Sequence, residues 1–327
     1  MGWFPERRAA PEFVVAVADG HGSPKCFRSH VGSRFGVEIG LSAGRVVLGT
    51  ARDEDETIYD TERAARLARA IVERWRDRVS EDLVRTPLTD TELAGLEKTD
   101  GGRSREVVER SPVVAYGATL LLAVVARRRV MMLQVGDGDI LLVSPGGQTH
   151  RPIPADPRLI GNETTSLSGD SAVDDFRFAV AGTGDGGPAL MVLATDGFSN
   201  AYTDDDAFLQ VGSDLLEHVE HQGVGSVAHR LGEWLETASR HDGDDVTVVV
   251  VSFVGPGATP AVSVQPAPAP RAVTGRDPAS HDGVSRIRWS GGPARGRGGL
   301  VLRRSTVTFL NSLGVAPARQ SLARGFL

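Results

Sequence analysis

The chain has 327 residues, of which 40% are hydrophobic and 24% charged, and it carries a formal net charge of −6 at pH 7 with a single cysteine, Cys26. This supports one large domain, or one domain with a tail, while one cysteine excludes a disulfide framework and fits a reducing compartment. No uninterrupted apolar run reaches the roughly 18 residues of a transmembrane helix and no basic segment followed by an apolar stretch opens the chain, so the sequence reads as cytoplasmic, without a membrane partner.

Phe13-Val14-Val15-Ala16-Val17 reads as a buried strand that stops on Asp19-Gly20-His21-Gly22. Ser23-Pro24 offers an N-cap and a first helical position for a helix through about Val47. Gly32, Gly36, Gly40 and Gly44 fall four apart on it and predict a face packed closely against a sheet. A second helix is predicted over 57–84, buried through Leu67, Ile71, Trp75 and Val79. Residues 86–111 read as a helical fragment followed by a mobile loop. Val113–Ala126, the tight Arg127-Arg128-Arg129 turn, Val130–Gly136 and Ile140–Val143 read as consecutive antiparallel strands. An irregular segment over 152–175 leads to strands at 176–181 and 189–195, helices at 205–221 and 224–240, and a last strand at 246–254.

Residues 1–254 therefore read as one domain and 255–327 as a Pro/Ala-rich linker with a basic, disordered tail. Residues 256–327 hold ten Arg against Asp277 and Asp282, which leaves about −14 on the remainder. Such acidity argues against a nucleic-acid partner for the main domain.

Three apolar runs end on Asp-Gly: at Asp19-Gly20, Asp137-Gly138 and Asp196-Gly197; a fourth pattern is inverted, with Gly243-Asp244-Asp245 directly before a strand. A buried strand that ends on a carboxylate needs a cation to pair with it. If the last strand runs antiparallel to the others, all four acids gather at one edge of the sheet structure. Like charges so close resist joint ionisation unless divalent cations neutralise them. Oxygen ligands without a Cys/His cluster favour Mg²⁺ or Mn²⁺. A pair of such ions roughly 3.5–4 Å apart activates water for in-line attack on phosphorus.

Ala18-Asp19-Gly20-His21-Gly22, Tyr116-Gly117-Ala118-Thr119, Val135-Gly136-Asp137, Leu193-Ala194-Thr195-Asp196-Gly197-Phe198 and Gly243-Asp244-Asp245-Val246-Thr247-Val248 together resemble, in order and spacing, the motifs of metal-dependent protein phosphatases of the 2C type, over about residues 10–254. The resemblance implies an α+β fold, an αββα sandwich of two antiparallel sheets flanked by helices, with Mn²⁺ or Mg²⁺ in a cleft at one end. It implies hydrolysis of phosphoserine or phosphothreonine in a protein substrate, opposed to a Ser/Thr kinase. Asp19 would bridge two ions, Gly20 would offer its carbonyl to one, and Asp196 and Asp244 would complete the other. Asp137 and Asp196 would hold a third, looser ion, as in many bacterial members. His21 matches the histidine proposed as general acid, and Asp245 stands where the family usually has Asn. A catalytically silent phosphatase-like binding module and a metal-dependent small-molecule phosphoesterase are the alternative readings.

Two departures accompany the resemblance. Family members open with a strand carrying an arginine that holds substrate phosphate, followed by an acidic pair; here eighteen residues precede Asp19 and Met1-Gly2-Trp3-Phe4-Pro5 lacks that signature. The first strand is therefore expected to be absent, through either a start further upstream or the loss of that anchor; Arg7 and Arg8 match no motif. Asp139 stands where many relatives have a Ser-Arg pair after Gly-Asp, and is expected to add negative charge beside the metals.

Overall fold

The structure, a computed structural model, describes residues 12–50, 61–126, 128–158, 164–184, 186–242, 245–253 and 306–311. Two sheets stack face to face. The first has the order β1 (Phe13–Val17), β2 (Leu120–Val125), β3 (Arg129–Val135), β6 (Arg177–Gly182); the second has β5 (Thr149–His150), β4 (Asp139–Val143), β7 (Leu190–Ala194), β8 (Thr247–Ser252), β9 (Thr306–Asn311). Every pairing is antiparallel except β8 with β9, which is parallel.

Three apolar layers follow from strand periodicity, since alternate residues face opposite sides of a sheet. Val15, Val17, Leu121, Ala123, Met132, Ile140, Met191, Leu193 and Val249 fill the space between the sheets. The outer face of the first sheet, including Leu120, Leu122, Val124, Met131 and Leu133, is covered by α1 (Ser29–Thr50) and α2 (Thr61–Arg85) through Phe35, Leu67, Ile71 and Trp75. The outer face of the second sheet, through Leu141, Val192, Val248 and Val250, is covered by α7 (Asp205–Gln222) and α8 (Val224–Asp242). This is the expected αββα sandwich. No described helix is long and apolar enough to cross a membrane.

The glycine stripe of α1 does pack closely. A Cβ at Gly32 would lie 1.8 Å from the Tyr116 carbonyl oxygen, and one at Gly44 would lie 2.6 Å from a Val14 methyl. Trp75 Nε1 donates to the Gly32 carbonyl at 2.9 Å, tying α2 to the same stretch.

Two sequence expectations give way here. Residues 86–111 form two helices, α3 (Asp90–Asp100) and α4 (Gly102–Arg110), and not a fragment with a loop. Thr89 and Glu92 make a capping box that starts α3, while Gly101, with φ 85°, lets the chain turn between the helices. Val113 to Thr119 is likewise not strand: Pro112–Tyr116 forms a 3-10 turn, and β2 starts at Leu120. Arg28, just 7% exposed, joins these pieces. It donates two hydrogen bonds at 2.8 Å to the Glu92 carboxylate and others to Tyr116 Oη, Thr86 O and Pro87 O. Within the segment expected to be a linker and tail, Thr306–Asn311 is a strand beside β8; residues 254–305 and 312–327 lie outside the described residues.

Candidate functional site

The site is built by strand direction. β1 and β3 both run antiparallel to β2, so their C-terminal ends, which lead to Asp19 and Asp137, lie at one edge of the first sheet. In the second sheet Asp139 pairs with Ala194, and Ala194 with Val248, so the end of β7 before Asp196 meets the starts of β4 and β8. The turn from Gly136 to Gly138 joins the two edges. Asp19, Asp137, Asp196 and Asp245 thus lie at one end of the sandwich. Asp244 lies outside the described residues, as do Arg7 and Arg8.

Threonine hydroxyls fasten two of the acid-bearing loops to the chain that pairs with them. Asp19 N–H donates to Thr119 Oγ1 at 3.0 Å, and Thr119 N–H donates to the Asp19 carbonyl at 2.9 Å. In the second sheet Thr247 N–H donates to Thr195 Oγ1 at 3.0 Å, while Thr195 N–H donates to the Thr247 carbonyl at 3.0 Å. Asp19 Oδ1 accepts the Gly20 N–H at 2.7 Å, and Asp196 Oδ1 accepts the Gly197 N–H at 3.0 Å. Gly20 then pairs with Ala118, and His21 N–H donates to the Gly117 carbonyl at 3.1 Å, so residues 19–21 extend the β1–β2 ladder.

The His21 ring rests on bare backbone: a Cβ at Gly117 would lie 2.7 Å from His21 Cδ2 and 2.9 Å from Cys26 Sγ. His21 Nε2 is buried with no hydrogen-bond partner among the described residues. Burial pulls the imidazole pKa down, and the nearby Asp137 charge opposes that shift.

The Gly136–Asp139 turn is held by groups that the sequence did not single out. Gly136 has φ 99°, and a Cβ there would meet Thr119 at 2.4 Å, so only glycine fits. Its N–H donates to Thr165 Oγ1 at 2.8 Å, and Gln134 Nε2 donates to the Gly138 carbonyl. The Asp137 carboxylate accepts no hydrogen bond from the described residues. Asp139 does not supply the expected open charge beside the metals: it is 7% exposed and ion-paired to Arg151, which also reaches Asp205. Burial raises its pKa, and the hydrogen bond from Arg151 works against that.

Carboxylate oxygens at one end of the sandwich, with an Asp137 side chain that accepts no hydrogen bond from the described residues, suit a hard divalent cation. Among the described residues, no three His, Cys, Asp or Glu side chains converge on one point as a metal site. Gln134 was legible as a lone polar residue in an apolar strand, and Thr119 stood in the Tyr116-Gly117-Ala118-Thr119 motif; Thr165 gave no such signal.

A family profile described as Protein phosphatase 2C matches residues 6–236. No curated protein matches the chain. Among solved structures, the chain is similar to the catalytic domain of the serine threonine protein phosphatase PstP in complex with two manganese ions, at 18% identity over 76% of this chain and 92% of that one, with a TM-score of 0.40. It is also similar to PppA, a regulatory component of the T6SS in Pseudomonas aeruginosa, at 17% identity over 72% of this chain and 88% of that one, TM-score 0.40. Serine/threonine phosphatase Stp1 from Staphylococcus aureus is 13% identical over 64% of this chain and 81% of that one, TM-score 0.35.

Proposed function

The chain belongs to the protein phosphatase 2C family, and on that premise we propose that it hydrolyses phosphoserine and phosphothreonine in proteins with Mn²⁺ or Mg²⁺ at the Asp-lined end of the sandwich. The observation that carries the reading is the delivery of Asp19, His21, Asp137 and Asp196 to that end by strands of both sheets. A pair of such ions, when bound, supplies an activated water and neutralises charge on the phosphoryl group.

Asp19 would be shared between two ions, with the Gly20 carbonyl offered to one of them; Asp196 and Asp244 would hold the other, and Asp137 with Asp196 would hold a looser third. The chain's own contribution is to hold the backbone: the paired threonine bonds fix Asp19 relative to the start of β2 and the Asp196 loop relative to β8. His21 Nε2, without a hydrogen-bond partner among the described residues and packed on Gly117, would give a proton to the leaving serine or threonine oxygen. Burial lowers the imidazole pKa, and the Asp137 charge offsets part of that shift toward the protonated form this role requires. The single cysteine, Cys26, buried and free, suits a cytoplasmic setting.

The alternative reading is a phosphoprotein-binding module without turnover. Hydrolysis of a phosphothreonine peptide, measured with Mn²⁺ and with chelator for the wild type and for Asp19→Ala, separates the two. The phosphatase reading expects turnover that chelator abolishes and that Asp19→Ala loses together with Mn²⁺ binding. Mn²⁺ binding without turnover supports the binding module, and turnover of small aryl phosphates alone supports a small-molecule phosphoesterase. Metal-dependent activity retained in Asp19→Ala overturns the site assignment.

A further inference from the structure

We infer that Arg177 is a positioning residue for Asp137, acting through the peptide group of Gly136. The inference rests on the metal reading above for its consequence, and on geometry alone for the hold itself.

Gly136 immediately precedes Asp137, and a glycine at φ 99° has a wide conformational range that no side chain restricts. Its direction, and with it the aim of the Asp137 carboxylate, must therefore be fixed from outside. The Gly136 N–H is taken by Thr165 Oγ1 at 2.8 Å. Its carbonyl oxygen accepts from Arg177 Nη2 at 3.1 Å and, more weakly, from Gln134 Nε2 at 3.3 Å. Arg177 and Gln134 face each other across the β6–β3 pairing, so both side chains project from the same side of the sheet toward the turn.

An ion pair does not account for where the guanidinium sits. Its Nε is buried without a hydrogen-bond partner among the described residues, and the carboxylate of Asp156 is 3.8 Å from it. That carboxylate is instead engaged by Arg158 at 2.7 Å. What Arg177 does hold is a pair of carbonyls, Gly136 through one terminal nitrogen and Pro154 through the other. A planar fork spans two acceptors at once, whereas the single ammonium of lysine does so poorly. Thr165 and Pro154 both belong to the irregular segment over 152–175, so that segment and the Asp137 turn are fastened to each other at two points.

The test compares hydrogen–deuterium exchange of the Gly136 amide, which Thr165 Oγ1 holds at the turn, and Mn²⁺ affinity by titration, in the wild type, R177K, R177M, D137N and R158K. R177K keeps the charge and loses the fork; R177M loses both. Both should speed exchange at the turn by about tenfold or more while leaving the β2 and β3 amides unchanged. Groups that orient a metal ligand typically contribute about 10–100-fold to affinity, so R177K should weaken by roughly tenfold the class of Mn²⁺ sites that D137N removes. R158K, which alters the neighbouring ion pairs without touching Gly136, should match the wild type. Unchanged exchange at the turn in R177K and R177M overturns the inference. If exchange rises but the wild type binds no Mn²⁺, the hold by Arg177 is supported and the metal reading fails instead.

Discussion

Substitution of Glu92 by glutamine tests the buried ion pair that seats the start of α1. The Arg28 hydrogen bonds hold the Glu92 carboxyl at about 2 instead of its ordinary 4.5. At about 1.4 kcal/mol per pH unit that corresponds to roughly 3 kcal/mol of stability. The Glu92 side chain is 29% exposed against 8% for Arg28, so screening by water brings the expected contribution to about 2 kcal/mol. Glutamine preserves the capping box with Thr89 and one acceptor for the guanidinium, so the difference isolates the charge. Glu92→Gln should therefore lower the unfolding free energy by about 2 kcal/mol near neutral pH, read from urea titrations followed by tryptophan fluorescence. A carboxyl whose folded pKa lies below its unfolded value stabilises above the unfolded value, and the effect fades as pH falls through the folded one. The gap between wild type and variant should accordingly narrow from about pH 5 downward, by roughly a third or more at about pH 3.5. A gap under about 0.5 kcal/mol near neutrality, or one that does not narrow in acid, refutes the reasoning.

Gly32→Ala should destabilise by about 1–3 kcal/mol or more, because its Cβ would overlap the Tyr116 carbonyl, whereas Gly49→Ala in the same helix meets no atom within 4 Å and should stabilise by about 0.5–1 kcal/mol. Thermal unfolding of the two variants checks the pair, and equal effects would contradict the close packing. Asp137→Asn should change stability by no more than about 0.5 kcal/mol in chelator, because the carboxylate accepts no hydrogen bond from the described residues. A loss above about 1 kcal/mol would make Asp137 a structural residue instead of a ligand.

The layers of the fold were readable because each rests on a strong local pattern. Apolar strands ending on Asp-Gly, and the glycine stripe with its demand for a close partner, both mapped onto observed elements. What escaped was decided by single side chains or by long-range pairing. The capping box at Thr89 and Glu92 turns a polar stretch into a helix, and Pro112 opens a 3-10 turn in what otherwise reads as a continuous strand. Asp139 looked like open charge because its partner, Arg151, is separated from it by a whole hairpin. At the site, the sequence marked the acids, His21 and, within a motif, Thr119, but not Thr165 and Arg177, which act on backbone groups and form no motif of their own. The parallel pairing of β9 with β8 has no local signature at all.

The wide separation of the strands that carry the site also governs how the protein emerges from synthesis. Asp19 is fastened by Thr119, 100 positions later, and every residue of β1 pairs with β2 and, among the described residues, with no other strand. At roughly 5–20 residues per second of translation, β1 waits about 5–20 s for its partner. Throughout that interval its apolar residues and unpaired edge are open to other chains and to chaperones, while α1 and α2 have already left the ribosome without a sheet to cover. Asp19 thus leaves the ribosome about 100 residues ahead of the strand that seats it, so a ribosome-stalled product ending before Leu120 would carry Asp19 without that strand.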